Sequence, residues 1–315
     1  ESIAAYVQSS IDVTEQLSLT LGARYTDEEK QATVRNGLVF ANVYPESNWI
    51  PGYVRPEGEL VPQVLGTDSD GDGILDAPAK ESWSRFTPRV GIEYQMNTDV
   101  MLFASYSQGF KSGTYNPRAT INEPAVDPEV GIKSDWNDNL RANVTLFALE
   151  HNDRQYISVL PVTSPEDLQQ ILGNVGKSKA KGVEAEITYA ATDELTFDLA
   201  LGYIDAEFEE VFQETLEGRV DVADTFAIAN TPEYTANIAA NYLLSTDVGD
   251  FIFNANYYYR DDYTITETSN SLITQDGYGL VNLSVSWQSE DGTWYGGLHA
   301  KNLTDEEYVV GGYQF

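Results

Sequence analysis

Alternation with a period of two residues, repeated segment after segment, constrains this chain more than any other feature of its sequence. In 195–203, Leu195, Phe197, Leu199, Leu201 and Tyr203 fall on one face and Thr196, Asp198, Ala200 and Gly202 on the other. Val281, Leu283, Val285 and Trp287 alternate with Asn282, Ser284, Ser286 and Gln288, and Phe251, Phe253, Ala255, Tyr257 and Tyr259 with Ile252, Asn254, Asn256, Tyr258 and Arg260. The same reading holds at Leu17–Tyr25, Phe86–Tyr94, Leu140–Leu146, Val183–Tyr189 and Tyr234–Tyr242. Side chains 180° apart mark strands whose two faces meet different solvents. The best helical candidate, Ser164–Leu172, is short.

Alternation alone leaves two architectures open. In a soluble sandwich the apolar faces pack on one another; in a membrane barrel they meet lipid while the polar faces line a lumen. The predicted strands run about 10–15 residues, against about 5–6 for a typical strand. Their connections alternate in length. Short polar turns are expected at Thr14-Glu15, Met96–Asp99, Asp135–Asn139, Ala191–Glu194, Ser245–Asp250 and Ser289–Thr293, and long polar segments at 30–82, 112–127, 160–171, 209–230 and 264–277. Tyr25, Tyr94, Tyr189, Tyr203, Trp287 and Trp294 fall near strand ends on the apolar face, as interfacial girdles do. The expected fold is therefore all-β, a large up-and-down antiparallel transmembrane barrel with about 12–13 strands in this chain. No window of about 18 apolar residues offers a transmembrane helix. Glu1-Ser2-Ile3-Ala4 has no basic leader region, so any signal peptide is expected to be removed or to lie upstream.

Composition narrows the chemistry. With 50 Asp+Glu against 18 Lys+Arg, the formal charge of −32 argues against nucleic acid as a partner. Zero Cys excludes disulfides and thiolate chemistry. His151 and His299 lie far apart, and no Gly-x-Ser-x-Gly, His-Glu-x-x-His or phosphate loop is present, so an enzyme is not expected. In the 30–82 loop, Asp68, Asp70, Asp72 and Asp76 occupy positions 1, 3, 5 and 9 of a run with Gly73 at position 6, which suits Ca²⁺; position 12 is Ala79, and Glu81 could stand in. This run resembles the calcium loops of thrombospondin-type repeats. Phe110, Lys111, Tyr115, Arg118, Tyr263 and Tyr278 are the candidate ligand contacts, aromatic platforms and cations near the outer strand ends.

Several motifs, in order, resemble the barrel of TonB-dependent outer-membrane receptors. They are Phe86-Thr-Pro-Arg-Val-Gly-Ile-Glu-Tyr94 with Asp99–Lys111, Gly131-Ile-Lys-Ser-Asp-Trp136, Gly182-Val-Glu-Ala-Glu186, Asn230-Thr-Pro-Glu-Tyr234 and Asn302-Leu-Thr-Asp-Glu-Glu-Tyr308. The resemblance implies a barrel of about 22 strands, of which 1–315 is the C-terminal portion. It implies an N-terminal plug and TonB-contact segment upstream, and a further strand after Asn302–Asp305. Gly109 and Gly182 are expected at strand ends. Arg24, Arg89, Glu93, Arg141, Glu184, Glu186, Asp198 and Arg260, all on polar faces, would line the lumen and dock the plug through ion pairs. Implied too are residence in a Gram-negative outer membrane, contact with its lipid, coupling to the TonB complex, and uptake of a scarce ligand such as an iron–siderophore, cobalamin or an oligosaccharide. The alternatives are a passive porin-like or structural barrel and a secreted, calcium-stabilised β-rich adhesin.

Overall fold

The computed structural model describes residues 1–30, 34–35, 74–75, 81–113, 123–161, 168–215, 218–267 and 273–312. Twelve strands follow one another along a single antiparallel sheet: β1 Ser2–Asp12, β2 Leu17–Lys30, β3 Glu81–Gln95, β4 Val100–Lys111, β5 Glu123–Asn137, β6 Leu140–Pro161, β7 Leu168–Ala190, β8 Leu195–Thr215, β9 Tyr234–Thr246, β10 Gly249–Arg260, β11 Tyr278–Gln288 and β12 Tyr295–Ala300. Each pairs with its neighbours in sequence, an uninterrupted meander. A thirteenth strand, Gly218–Asp221, folds back on the end of β8. β1 and β12 are not paired with one another, so the described sheet is an open arc.

The pairing register keeps the two faces pure. Leu17, Leu19, Leu21, Ala23 and Tyr25 of β2 stand opposite Tyr94, Ile92, Val90, Pro88 and Phe86 of β3, while Ser18, Thr20, Gly22 and Arg24 meet Glu93, Gly91, Arg89 and Thr87. A slip of one residue would send every apolar side chain to the polar face, which is what fixes the register. The apolar rows do not pack on a second layer. Phe86 is 57% exposed, Tyr25 51%, Ile92 44% and Leu201 43%. Among the described residues the buried apolar side chains are Trp83, Phe208, Val211, Tyr263 and Tyr278, too few to be the core of a sandwich. Trp83, Phe208 and Tyr278 sit on the polar-face rows that also carry Arg85, Gly202 and Asn282 respectively. The greasy face is thus the outside and the polar face the sheltered concave side, as in a barrel wall.

The apolar outer rows end at a common level. On β6, β7 and β8 they run Leu140–Ala148, Tyr189–Val183 and Phe197–Tyr203, and then turn charged. Lys181 pairs with Asp205 at 3.0 Å, Lys179 with Glu207 at 2.8 Å, and Lys177 with Glu209 at 2.9 Å and Glu150 at 3.1 Å. Hydrogen bonding to Glu209 raises the Lys177 amine above its ordinary value, and that to Glu207 raises Lys179. A row of about 9 residues crosses the hydrocarbon when tilted, so this charged ladder stands just beyond it. Here the strands outgrow expectation: β6, β7 and β8 have 22, 23 and 21 residues. The helical candidate is corrected accordingly, because Leu168–Leu172 lies in β7. Residues 123–127, expected in a loop, open β5.

The short connections fall where the sequence places them and hold themselves with side chains. Thr14 Oγ1 accepts the amides of Gln16 and Leu17, Asn97 Oδ1 those of Asp99 and Val100, and Thr192 Oγ1 those of Glu194 and Leu195. Such local acceptors favour tight turns. In the β11–β12 turn, Asp291 accepts the Ser289 hydroxyl at 2.6 Å and both the amide and hydroxyl of Thr293, which lowers its carboxyl to about 2.

Two outcomes follow. Val90→Lys, in the middle of the outer row, should destabilise the folded barrel by about 2–4 kcal/mol in a vesicle refolding titration, whereas Ser286→Lys on the concave face should change it by less than about 1 kcal/mol. Because the Asp291 carboxyl is depressed, its contribution to the turn is present above the ordinary carboxylate range and fades only as pH falls towards about 2. Amide exchange at Thr293 should therefore show no loss of protection between neutral pH and pH 4, and Asp291→Ala should remove that protection at any pH.

Candidate functional site: the mouth and inner wall of the barrel

At the long-loop end, the concave face carries a band of shielded polar and aromatic side chains. Lys30, at the end of β2, donates to Ser112 Oγ at 2.7 Å and to the Gly113 carbonyl at 2.8 Å, and lies 5.4 Å from the Trp83 ring centre. The Ser112 carbonyl in turn accepts the Gln155 amide at 3.0 Å. These contacts carry one line of interactions from β2 to β6.

The preceding residue, Arg154, continues it. Its guanidinium stacks 4.8 Å from the Phe208 ring of β8, donates to Ser178 on β7, and reaches Glu267 at 2.5 Å. Glu267 belongs to the β10–β11 connection, where Tyr263-Thr264 pairs with Thr274-Gln275. The pair is about one-fifth to one-quarter exposed, so the surrounding protein shields it from much of the solvent screening that weakens a surface ion pair. A β-bulge aims it. Asp153 has φ +53°, and the β6–β7 register shifts between His151 and Arg154 and again before Gln155. Without the extra residues, Arg154 would fall on the outer row; with them it enters the concave row opposite Gly176. Simple alternation could not have found it.

A second cluster closes the far side. Arg260 lies 3.9 Å over the Tyr263 ring and donates to the Asn230 carbonyl at 2.9 Å. Tyr278 stacks on Tyr308 at 4.6 Å, and Val309 donates to Gln275 at 2.6 Å. Tyr263 and Tyr278, read from sequence as ligand contacts, are each 7% exposed and packed beneath the segment that follows β12. Phe110 shares the outer row with Leu102 and Tyr106, while Lys111 shares the concave row with Ser105 and Ser107. Tyr115, Arg118 and the carboxylates Asp68, Asp70, Asp72 and Asp76 lie outside the described residues.

Below the mouth, the remaining sequence candidates all fall on the concave rows. Arg24 donates to Thr26 at 3.0 Å, Arg141 pairs with Asp135 at 2.6 Å, and Asp198 accepts from Thr188 and Asn241 at 2.9 Å each. Arg89 stands beside Gly22, and Glu93 opposite Ser18. Glu184 and Glu186 stand opposite Gly202 and Ala200. Gly182 is not at a strand end but in the middle of β7, where the Phe147 ring lies over it. A Cβ there would come within 2.5 Å of that ring and 2.3 Å of the Tyr203 carbonyl. Gly131 is covered in the same way by Phe103. His151 on β6 and His299 on β12 are not brought together.

This combination, an antiparallel meander with a lipid-type outer face, a polar inner wall and a shielded mouth, defines the wall of a transmembrane β-barrel. The chain belongs to the TonB-dependent receptor β-barrel family, whose model, "TonB dependent receptor-like, beta-barrel", matches residues 1–303. It is 25% identical over 248 residues to the ferric-pyoverdine M114 receptor PbuA of Pseudomonas sp. strain M114, covering 76% of this chain and 28% of that protein. It is 26% identical over 173 residues to the metal-pseudopaline receptor CntO of Pseudomonas aeruginosa, covering 53% of this chain and 22% of that one. The fold matches the ferric yersiniabactin uptake receptor FyuA of Yersinia pestis with a TM-score of 0.69 at 16% identity, over 100% of this chain and 42% of FyuA. It also matches the ferripyoverdine receptor of the outer membrane of Pseudomonas aeruginosa, with a TM-score of 0.61 at 16% identity, over 98% of this chain and 35% of that receptor. The chain thus spans less than a third of the curated relatives' length.

Two substitutions test the mouth and the wall. Arg154→Ala should leave the Glu267 carboxylate half-buried without its cation, at a cost of about 1–3 kcal/mol. Amide exchange at residues 263–267 should then speed up at least tenfold, with β9 unchanged. Gly182→Val should destabilise by about 1–3 kcal/mol. Adding Phe147→Ala should not restore stability, because the Tyr203 carbonyl still occupies the space.

Proposed function

We propose that this chain is barrel wall of an energised receptor in a Gram-negative outer membrane that takes up a metal chelate of the iron–siderophore class. The observation that carries the reading is the mouth: an arginine and a lysine held against aromatic faces above a polar lumen. Anionic, ring-bearing chelates suit such a surface. The named ligands of the relatives, ferric pyoverdine, metal–pseudopaline and ferric yersiniabactin, are all metal chelates, which supports that class over cobalamin or an oligosaccharide. In this reading the outer rows contact lipid, the short turns face the periplasm and the long connections face outward. A plug carried elsewhere in the polypeptide fills the lumen and transmits the pull of the TonB complex.

The test uses the full-length receptor. Intrinsic fluorescence titration with ferric pyoverdine, ferric yersiniabactin and a metal–pseudopaline complex should show saturable binding of at least one, weakened by Lys30→Ala or Arg154→Ala. Planar bilayers should be nearly silent. Large constitutive conductance with no chelate binding would instead establish a passive porin-like channel.

A further inference from the structure

The inner wall divides into three sectors of different chemistry. On β2 and β3, Arg24, Arg85 and Arg89 lie together in the middle of adjacent concave rows, with Thr87, Thr26 and Gly22 directly across from them; Glu93 and Glu28 stand towards opposite ends of these rows, Glu28 paired with Lys30 at 3.3 Å. Among the described residues none of the three has a carboxylate partner, although the whole chain carries a charge of −32. On β5 and β7, Asp127, Glu129, Glu184 and Glu186 form the opposite case. Glu129 accepts a hydroxyl from Ser105 at 3.2 Å, and Glu184 and Glu186 have no ion-pair partner among the described residues. Two cations share this stretch of wall: Lys133 lies over the Phe103 ring, and Arg141 is paired with Asp135. Exposed like charges set side by side repel one another, so both sectors gain from an occupant of complementary charge.

The third sector, β8–β12, has satisfied itself. One ladder runs Asn302–Asn282–Asn256–Asn237: the Asn302 amide donates to Asn282 at 3.0 Å, Asn282 to Asn256 at 3.2 Å, and Asn256 to Asn237. Another runs Asn254–Asn241–Asp198–Thr188, with links of 2.7, 2.9 and 2.9 Å. Each amide spends hydrogen-bonding capacity on the neighbouring strand, which leaves less for anything in the lumen. This wall is hydrated but offers little grip.

We propose that the plug is anchored against the arginine and carboxylate sectors and only loosely apposed to the amide sector, so that the route opened for solute runs along β8–β12. This rests on the plugged-receptor reading above. The plug face towards β2–β3 is then acidic and that towards β5–β7 basic, a fixed rotational setting inside the barrel.

The absence of Cys from this chain makes the test direct. In the full-length receptor, with any other cysteine replaced, single probes are placed on concave rows outside the ladders: Ser107→Cys beside Arg89, Thr145→Cys beside Glu184, and Ser284→Cys on β11. Labelling by a small water-soluble methanethiosulfonate is timed, and conductance is recorded on the same samples. The proposal expects near-silent bilayers, with Ser284→Cys reacting at least tenfold faster than the other two. Adding Arg24→Glu and Arg89→Glu should raise the Ser107→Cys rate towards that of Ser284→Cys. Silent bilayers with equal rates, or with Ser284→Cys the slowest, overturn the sector assignment and leave the plug in place. Open bilayers with three equally fast probes overturn the plugged-receptor reading itself.

Discussion

The structure depends on one constraint: a backbone crossing hydrocarbon must satisfy every amide and carbonyl within the sheet, while its side chains face two solvents at once. The meander meets the first condition through neighbour-to-neighbour ladders from β1 to β12. Strict pairing of apolar with apolar and polar with polar rows meets the second, as β2 and β3 show residue by residue. This explains why so few apolar side chains are buried. Stability comes from contact with lipid and from ladder bonds rather than from a packed interior, and the sheltered aromatic residues are those needed at the mouth.

Specialisation appears where that regularity is broken. The bulge at Asp153 moves Arg154 from the outer row to the inner one and sets it against Phe208 and Glu267. Gly131 and Gly182 leave gaps in the inner rows that Phe103 and Phe147 cover, so large rings lie flat on the wall instead of projecting into the lumen. Local departures from the pattern thus shape the concave surface, and the ladder on either side holds them in position.

Much of this was legible in the sequence. The turns at Met96–Asp99 and Ala191–Glu194, the apolar rows and the concave placement of Arg24, Arg89, Glu184, Glu186, Asp198 and Arg260 all follow from period two and local turn chemistry. What was not legible has physical causes. The outer ends of β6–β8, at 160–161, 168–171 and 209–215, read as loop because the sequence there turns polar or charged without ceasing to be a strand, as at Gln169, Gln170, Glu209 and Glu210. Pro124 and Pro128 disguised the start of β5. Arg154 escapes simple alternation because a bulge inverts the phase of the strand before it. Tyr263 and Tyr278 were singled out as ligand platforms because burial by a segment 30 or more residues distant leaves no local trace.

The ladder of Lys177, Lys179 and Lys181 with Glu150, Asp205, Glu207 and Glu209 has a mechanical consequence. Any force drawing the wall inward along its axis must first drag seven ionised groups into oil, where neither water nor counter-ions can follow. Pairing holds the Glu209 carboxyl below its ordinary value and the Lys177, Lys179 and Lys181 amines above theirs. These groups act as a flange seated on the rim of the bilayer, which holds the wall at its depth.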